Sequence, residues 1–292
     1  MTVADGVIDG TVVDEPDGPR PGPPPGPPPG PPPGPPLGPP LGPPLGPPLW
    51  AVVPAAGTGA RMRASGRPGD APPDPPKQYL PLAGRTLIER SVETLLAVPT
   101  LVGVVVALAP GDEHWAALSL ARDPRVHRAP GAGTRAESVA AALERLAELA
   151  PPDTRVLVHD AARPLVTAGD IARLVAAVEA GGFVGGLLAV PVQDTLKRAD
   201  AGSRVSATVS RERLWQAQTP QLFPLAALSG ALRAALAGGE LGTITDEASA
   251  MERAGHAPLL VEALDPNPKI TRPADLGVAE ALLGRRRETR CA

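Results

Sequence analysis

Between Gly22 and Pro48 the chain repeats Gly-Pro-Pro-Pro and then Gly-Pro-Pro-Leu with a period of four. Proline donates no backbone hydrogen bond and fixes φ, so this stretch builds neither a helix nor a strand ladder. Collagen needs glycine at every third position, and a period of four fails that test. The composition favours extended polyproline II without a packed core, and residues 1–49 are expected to be a disordered Pro/Gly-rich extension. It fits either a stiff solvated spacer or a ligand for a proline-binding partner. Whatever folds must therefore lie in residues 50–286, long enough for one sizeable core, with 287–292 as a tail.

The folded part opens on WAVVPAAGTGARMR, Trp50 to Arg63. The apolar run Trp50–Val53 reads as a buried strand, and Pro54-Ala55-Ala56-Gly57-Thr58-Gly59 lets the backbone turn tightly and come close to a ligand. Such a loop can aim several N–H groups at a phosphate, and Arg61 and Lys77 add charge where phosphate oxygens would lie. No Lys-Ser/Thr follows, which counts against a P-loop, and Met62 stands where the third glycine of a dinucleotide fingerprint belongs; an ordinary strand-to-helix turn is the other reading of this stretch.

Downstream, strand-like and helix-like segments alternate. Helical spacing marks Thr86–Leu96, Asp112–Leu120, Thr134–Leu149 (with Thr134 and Glu137 spaced as a capping box), Asp170–Ala180, Leu225–Ala237, Asp246–Ala254 and Pro273–Leu283. Buried strands are expected at Leu101–Leu108, Arg125–Arg128, Arg155–His159, Phe183–Val192 and Pro258–Leu264. This order predicts an α/β fold with a mainly parallel sheet, whose ligands bind beyond the carboxyl ends of the strands. The alternation breaks at residues 193–223. There Asp200-Ala201-Gly202-Ser203 is a turn signal between polar arms, and a protruding β-hairpin is expected. An isolated hairpin is marginal in water, and packing against a second subunit is one way to stabilise it.

The net charge of −3 gives no general surface for nucleic acid or membrane. The one cysteine is Cys291, which excludes an internal disulfide framework. The N-terminus lacks the basic start and apolar centre of a secretion signal, so a cytoplasmic protein is expected. Arg285-Arg286-Arg287 reads as a solvated cap at the end of the last helix.

Together AAGTGARM, PKQYLPLAGRTLIERSV, RAESV, VHDAARPLV, PVQDTLKR, VSRERLWQAQTPQLF, TDEAS and NPKITRPADL carry a resemblance. The chain from about Trp50 to Leu283 resembles the 2-C-methyl-D-erythritol 4-phosphate cytidylyltransferase family of the non-mevalonate isoprenoid pathway. The resemblance implies a Rossmann-like nucleotidyltransferase fold and a homodimer joined through the arm. It implies transfer of CMP from CTP to methylerythritol phosphate, with Mg²⁺ as the divalent metal. It makes Arg61, Lys77 and Lys269 catalytic. It makes Ala55, Ala56, Gly57, Gly59, Ala132, Ser138, Asp160 and Ala161 nucleotide-binding, with Asp160 also available to the metal. It assigns Asp160, Arg163, Thr195, Arg211 and Thr219 to the second substrate, Thr195 and Arg211 reaching it from the arm.

Residues 63–76, RASGRPGDAPPDPP, are longer than the family pattern. The base loop reads Gly131-Ala132-Gly133-Thr134 where Gly-Gly followed by an acidic residue is usual. A close alternative is cytidylyl transfer to another polyol phosphate such as ribitol 5-phosphate; a more distant one is an inactive scaffold that binds partners through the Pro-rich segment. His159, beside Asp160, is expected to be structural, since a phosphate monoester is already ionised at neutral pH.

Overall fold

The computed structural model describes residues 47–57, 62, 75–239 and 243–291. The chain divides into two units, Met1–Gly42 and Pro43–Ala292. The first lies outside the described residues, as do Gly59, Arg61 and most of the 63–76 insertion.

Seven strands form the central sheet, in the spatial order Leu259–Glu262, Gly186–Pro191, Trp215–Pro224, Arg155–Val158, Leu49–Ala55, Leu101–Leu108 and Val126–Pro130. In the middle, β1 (Leu49–Ala55) lies parallel between β4 (Leu101–Leu108) and β6 (Arg155–Val158). β5 (Val126–Pro130) continues the parallel set beyond β4. On the far side β11 (Leu259–Glu262) pairs in parallel with β7 (Gly186–Pro191), and β10 (Trp215–Pro224) runs antiparallel between β7 and β6.

The strand period of two sends alternate residues of β1 to opposite layers. Ala51 and Val53 pack with helices α1 (Leu87–Leu96) and α3 (Ala168–Gly181). Trp50 and Val52 face the other layer, with α2 (Arg135–Ala147), α4 (Leu225–Ala237) and α5 (Glu247–Arg253). Both faces are covered, which is why these strands read as continuous apolar runs. A third cluster joins Leu82, Leu87, Leu165 and Ile270 to Ala279 on α6 (Pro273–Cys291). Small strands β2 (Pro81–Leu82) and β3 (Arg85–Thr86) pair just before α1.

Local chemistry fixes the helix starts. Thr86, Thr134 and Asp246 each close a capping box, with Glu89, Glu137 and Ser249 as the reciprocal partners. Thr167 caps α3, and Gly182 ends it in the left-handed conformation at φ 62°.

Three expectations need correction. Asp112–Leu120 is not one helix but two short 3₁₀ turns, Trp115–Ala117 and Ser119–Arg122, separated by Leu118 in an extended conformation. The segment is too short to sustain a helix by itself, and burying both Trp115 and Leu120 favours the broken path. The hairpin is narrower than 193–223: β8 (Leu196–Ala199) and β9 (Val205–Val209) form it, while Trp215–Phe223 enters the central sheet. Proline is disfavoured in a central strand, and a register shift between Ala217 and Gln221 accommodates Pro220 here. Finally, the arginine run lies inside α6, and Arg286 is more than a solvated cap. It donates to the carbonyls of Leu165 and Pro266 at 2.7 and 3.1 Å.

No helix among the described residues is long and apolar enough to cross a membrane.

Candidate active site

The loops after β1, β5 and β6 meet the Asn267–Thr271 segment around a cavity of about 460 Å³. It lies at the carboxyl ends of the parallel strands, as the topology requires. Close approach of two of these loops depends on Gly131. A Cβ there would lie 2.2 Å from the Ala56 Cβ and 2.8 Å from the Leu108 carbonyl oxygen. Glycine is therefore what lets the Gly131–Thr134 loop pack against the loop after β1.

One side of the cavity is built from backbone. Ser138, on the first turn of α2, accepts the Ala132 N–H at 3.0 Å and donates to the Thr134 carbonyl at 2.9 Å. This holds the Gly131–Thr134 loop in one shape. Gln78 does the same for the β1 end, donating to the Ala55 carbonyl at 2.7 Å.

The other side is built from charge. Asp160, the single carboxylate among the described residues lining the cavity, leaves the end of β6 on a buried backbone. Its Oδ1 accepts from Arg135 Nε at 3.0 Å, its Oδ2 lies 2.6 Å from Lys269 Nζ, and Arg163 Nε stands 3.8 Å away. Burial would raise the carboxyl pKa, but Arg135, Lys269 and Arg163 outweigh it and hold the group far below the usual carboxylate range. Arg135 is in turn gripped by both oxygens of Glu247, at 2.6 and 3.0 Å. Burial opposes its charge, yet Glu247 and Asp160 together raise its pKa. Lys77 reaches the same region, donating to the Ile270 carbonyl at 3.0 Å, so two ammonium groups are fixed around neighbouring residues 269 and 270.

Beneath Asp160 lies a neutral histidine. His159 Nε2 is 3.1 Å from the Arg163 carbonyl, which can only accept, so Nε2 carries the proton and Nδ1 accepts from the Thr219 hydroxyl at 3.1 Å. That hydroxyl also accepts the Asp160 N–H at 3.0 Å. Burial pushes the imidazole pKa down to about 4. With both ring nitrogens committed, His159 supports the loop, in the structural role the sequence suggests.

The cavity lining brings together Ala56, Gly57, Lys77, Ala132, Ser138, Asp160, Ala161 and Lys269. Ala55 is buried at the end of β1, behind the lining. Thr219 is buried under Asp160. Arg163 turns to the carbonyls of Asn267 and Ala217, at 2.7 and 3.4 Å. Burial lowers its pKa despite Asp160. Thr195 is exposed beside β8, and exposed Arg211 donates to the Gln193 carbonyl; neither lines the cavity.

Four structural participants were not singled out from the sequence: Gln78, Arg135, Glu247 and Asn267, whose Nδ2 donates to the Thr219 carbonyl at 3.0 Å. Each sits inside a motif already quoted. The available signal was a charged or amide residue in the first turn after a cap, or in a loop at a strand's carboxyl end.

A divalent cation fits this donor set. No group of three His, Cys, Asp or Glu side chains suited to a metal occurs among the described residues. A hard cation that takes most of its oxygens from phosphates and water needs few from protein. Both Asp160 oxygens are engaged, but a carboxylate has about four lone-pair sites and retains capacity.

A family profile, IspD: 2-C-methyl-D-erythritol 4-phosphate cytidylyltransferase, matches residues 49–285. The protein of that name from Ectopseudomonas mendocina (strain ymp) is 55% identical over 226 residues, 77% of this chain and 91% of its own length. The corresponding Pseudomonas aeruginosa (strain UCBPP-PA14) protein is 54% identical over 226 residues, 77% and 92% of the two chains. The crystal structure of the Francisella tularensis enzyme of that name superposes with a TM-score of 0.68 at 31% identity, covering 80% of this chain and 99% of that one. With its doubly covered, mainly parallel sheet and its cleft at the strand ends, this chain belongs to the 2-C-methyl-D-erythritol 4-phosphate cytidylyltransferase family of nucleotidyltransferases.

Proposed function

We infer that the chain transfers CMP from CTP to 2-C-methyl-D-erythritol 4-phosphate, releasing pyrophosphate in isoprenoid precursor synthesis. The observation that carries the chemistry is Asp160, held between Arg135 and Lys269 on the cavity wall with Lys77 beside it. Family membership supplies the substrates.

A phosphate oxygen of the acceptor attacks the α-phosphorus of CTP, the bond from that phosphorus to the β-bridging oxygen breaks, and pyrophosphate leaves with the bonding electrons. The acceptor monoester ionises near pH 6, so at neutral pH it needs no general base. The obstacle is repulsion between two polyanions. Positioned cations answer it, because preorganised charge in a shielded site stabilises the transition state without rearrangement.

Lys269 is assigned to the reacting phosphate, and Asp160 keeps its ammonium from wandering before substrate binds. Lys77 and Arg61 are assigned to the triphosphate and the departing pyrophosphate. The loop at Ala56 and Gly57 offers backbone N–H groups to the same phosphates, and Ala55 and Gly59 are assigned to the same task. Ala132, Ser138 and Ala161 are assigned to the nucleoside. Asp160 would hold the divalent ion, Mg²⁺ being our assignment, which when bound neutralises phosphate charge. Arg163 and Thr219 shape the acceptor side from behind Asp160.

Thr195 and Arg211 flank the root of the hairpin and do not line this chain's own cavity, which supports a homodimer in which they serve the partner's cleft. The acting species is then two chains with CTP and the polyol phosphate. The Pro-rich extension is assigned no role in the transfer.

The test is pyrophosphate release with Mg²⁺, comparing CTP with ATP, GTP and UTP, and methylerythritol phosphate with ribitol 5-phosphate. Release confined to CTP and methylerythritol phosphate is expected. Turnover only with another acceptor would reassign the substrate, and silence with every pair would favour an inactive scaffold.

A further inference from the structure

Glu247 does not line the cleft, yet it is only 1% exposed and carries a charge that burial makes costly. It is the first residue of α5, where the helix N-terminus favours an anion. Its carboxylate takes Nη1 and Nη2 of Arg135 together. A planar guanidinium gripped by two bonds at one end cannot rotate freely, so the direction of its Nε–H is set as well. That Nε–H is the one donated to Asp160.

The far side of the arrangement closes into a ring. Asp160 donates its backbone N–H to Thr219 on β10. Two residues along the same strand, Gln221 donates to the Asp246 carboxylate at 2.8 Å and accepts the Ala248 N–H at 2.8 Å. The first turn of α5 is thereby fastened to the strand that also holds Asp160. Asp160 is located through its backbone by β10 and through its side chain by Glu247 and Arg135.

We propose that Glu247 is a positioning residue of the transfer: acting through Arg135, it fixes the Asp160 carboxylate, and with it Lys269, where the reacting phosphates require them. The proposal rests on the cytidylyl transfer inferred above. Glu247→Gln keeps the shape but removes the charge that pins Arg135. The guanidinium then turns further onto Asp160 and displaces Lys269, or swings towards the phosphates in the cavity that it already lines. Misplacement on this scale costs roughly a hundredfold in turnover. Binding of CTP alone should be retained, because the neighbourhood of the cleft loses a negative charge.

The experiment is a double-mutant cycle of Glu247→Gln and Arg135→Gln, with pyrophosphate release, calorimetric CTP binding and thermal unfolding measured on each protein. Non-additivity is the signature of two residues acting as one unit. The expected result is a large fall in kcat for each single variant, with CTP binding retained in Glu247→Gln, and a double variant no worse than Arg135→Gln. Normal kcat in Glu247→Gln, losses that multiply in the double variant, or CTP binding lost in step with kcat would each overturn the proposal. If Glu247→Gln unfolds at the assay temperature, Glu247→Asp keeps the charge and shortens the reach. An intermediate kcat with an unchanged melting temperature is then expected, and full kcat overturns the idea. An unaltered protein that fails to turn over CTP with methylerythritol phosphate would overturn the activity itself, a result distinct from additive losses in an active enzyme.

Discussion

The cleft and the hairpin arm place charged residues in opposite settings. In the cleft the partners are buried and distant in sequence: Arg135 meets Glu247 across 112 positions, and Asp160 meets Thr219 across 59. In the arm they are exposed and close. Lys197 bonds Thr208, Arg204 bonds Asp200, and Ser206 bonds the Arg198 carbonyl, all within one hairpin. A network of the first kind exists only when the whole domain has folded, so its charges are aligned before a ligand arrives. A network of the second kind needs only a turn. It fixes the shape of the hairpin and leaves its faces, including Val205 at 66% exposed, without a core of their own.

The strongest way to break this contrast is at Lys269. If cleft charges are there for chemistry, Lys269→Met removes an ammonium and keeps the stem. Turnover should fall by about a thousandfold, the scale seen when one transition-state donor is deleted. Stability should change by only about 1 kcal/mol, since the lysine is partly exposed and Arg135 still faces Asp160. Steady-state pyrophosphate release and a melting curve on the same sample decide it. Near-normal turnover, or collapse of the fold together with activity, would make Lys269 an ordinary ion-pair partner.

A second test uses pH, because a buried network should resist protonation where an exposed hairpin does not. The folded-state pKa of His159 is lowered to about 4 from an ordinary value near 6.5. The neutral ring therefore contributes stability that is fully present above about pH 6.5 and is lost as pH falls through 4. At 1.36 kcal/mol per unit this amounts to about 3 kcal/mol. Asp160, also depressed, adds a loss confined to pH below the ordinary carboxylate range. Urea unfolding at pH 7, 6, 5 and 4 should show the decline, and His159→Gln should flatten it between 6.5 and 4. A slope unchanged by that substitution would place the titrating group elsewhere.

Legibility in the sequence follows the same division. Strands such as Leu101–Leu108 and helices such as Leu225–Ala237 are readable because apolar runs and helical spacing are local signals. The cavity's Ala56, Gly57 and Asp160 are readable as small or charged residues at strand ends, and Lys77 and Lys269 as cations within family motifs. In sequence β10 reads as part of the arm because its fit in the sheet depends on a register shift around Pro220, and only the neighbouring strands specify that shift. Arg135 and Glu247 carry no sequence signal of their pairing, for a related reason. Each looks like an ordinary first-turn charge on its own helix, and what makes them a pair is the packing of α2 and α5 on one face of the sheet.

The smallest energetic effect, and the sharpest on the arm's side of the comparison, is expected from Val205→Asp. An exposed position outside the core changes folding stability by no more than about 0.5 kcal/mol, so the melting transition of the isolated chain should barely move. If the proposed dimer forms through the arm, a charge on this uncovered apolar residue should disfavour association, and light scattering should report a shift from dimer towards monomer. If Thr195 and Arg211 then serve the partner's cleft, kcat/KM for the polyol phosphate should fall while CTP binding holds, since the proposed nucleotide contacts Ala56, Gly57, Ala132 and Ser138 line this chain's own cavity. A protein that is monomeric and fully active before the substitution would mean that each chain completes its own site, and the arm would lose its proposed part in the transfer.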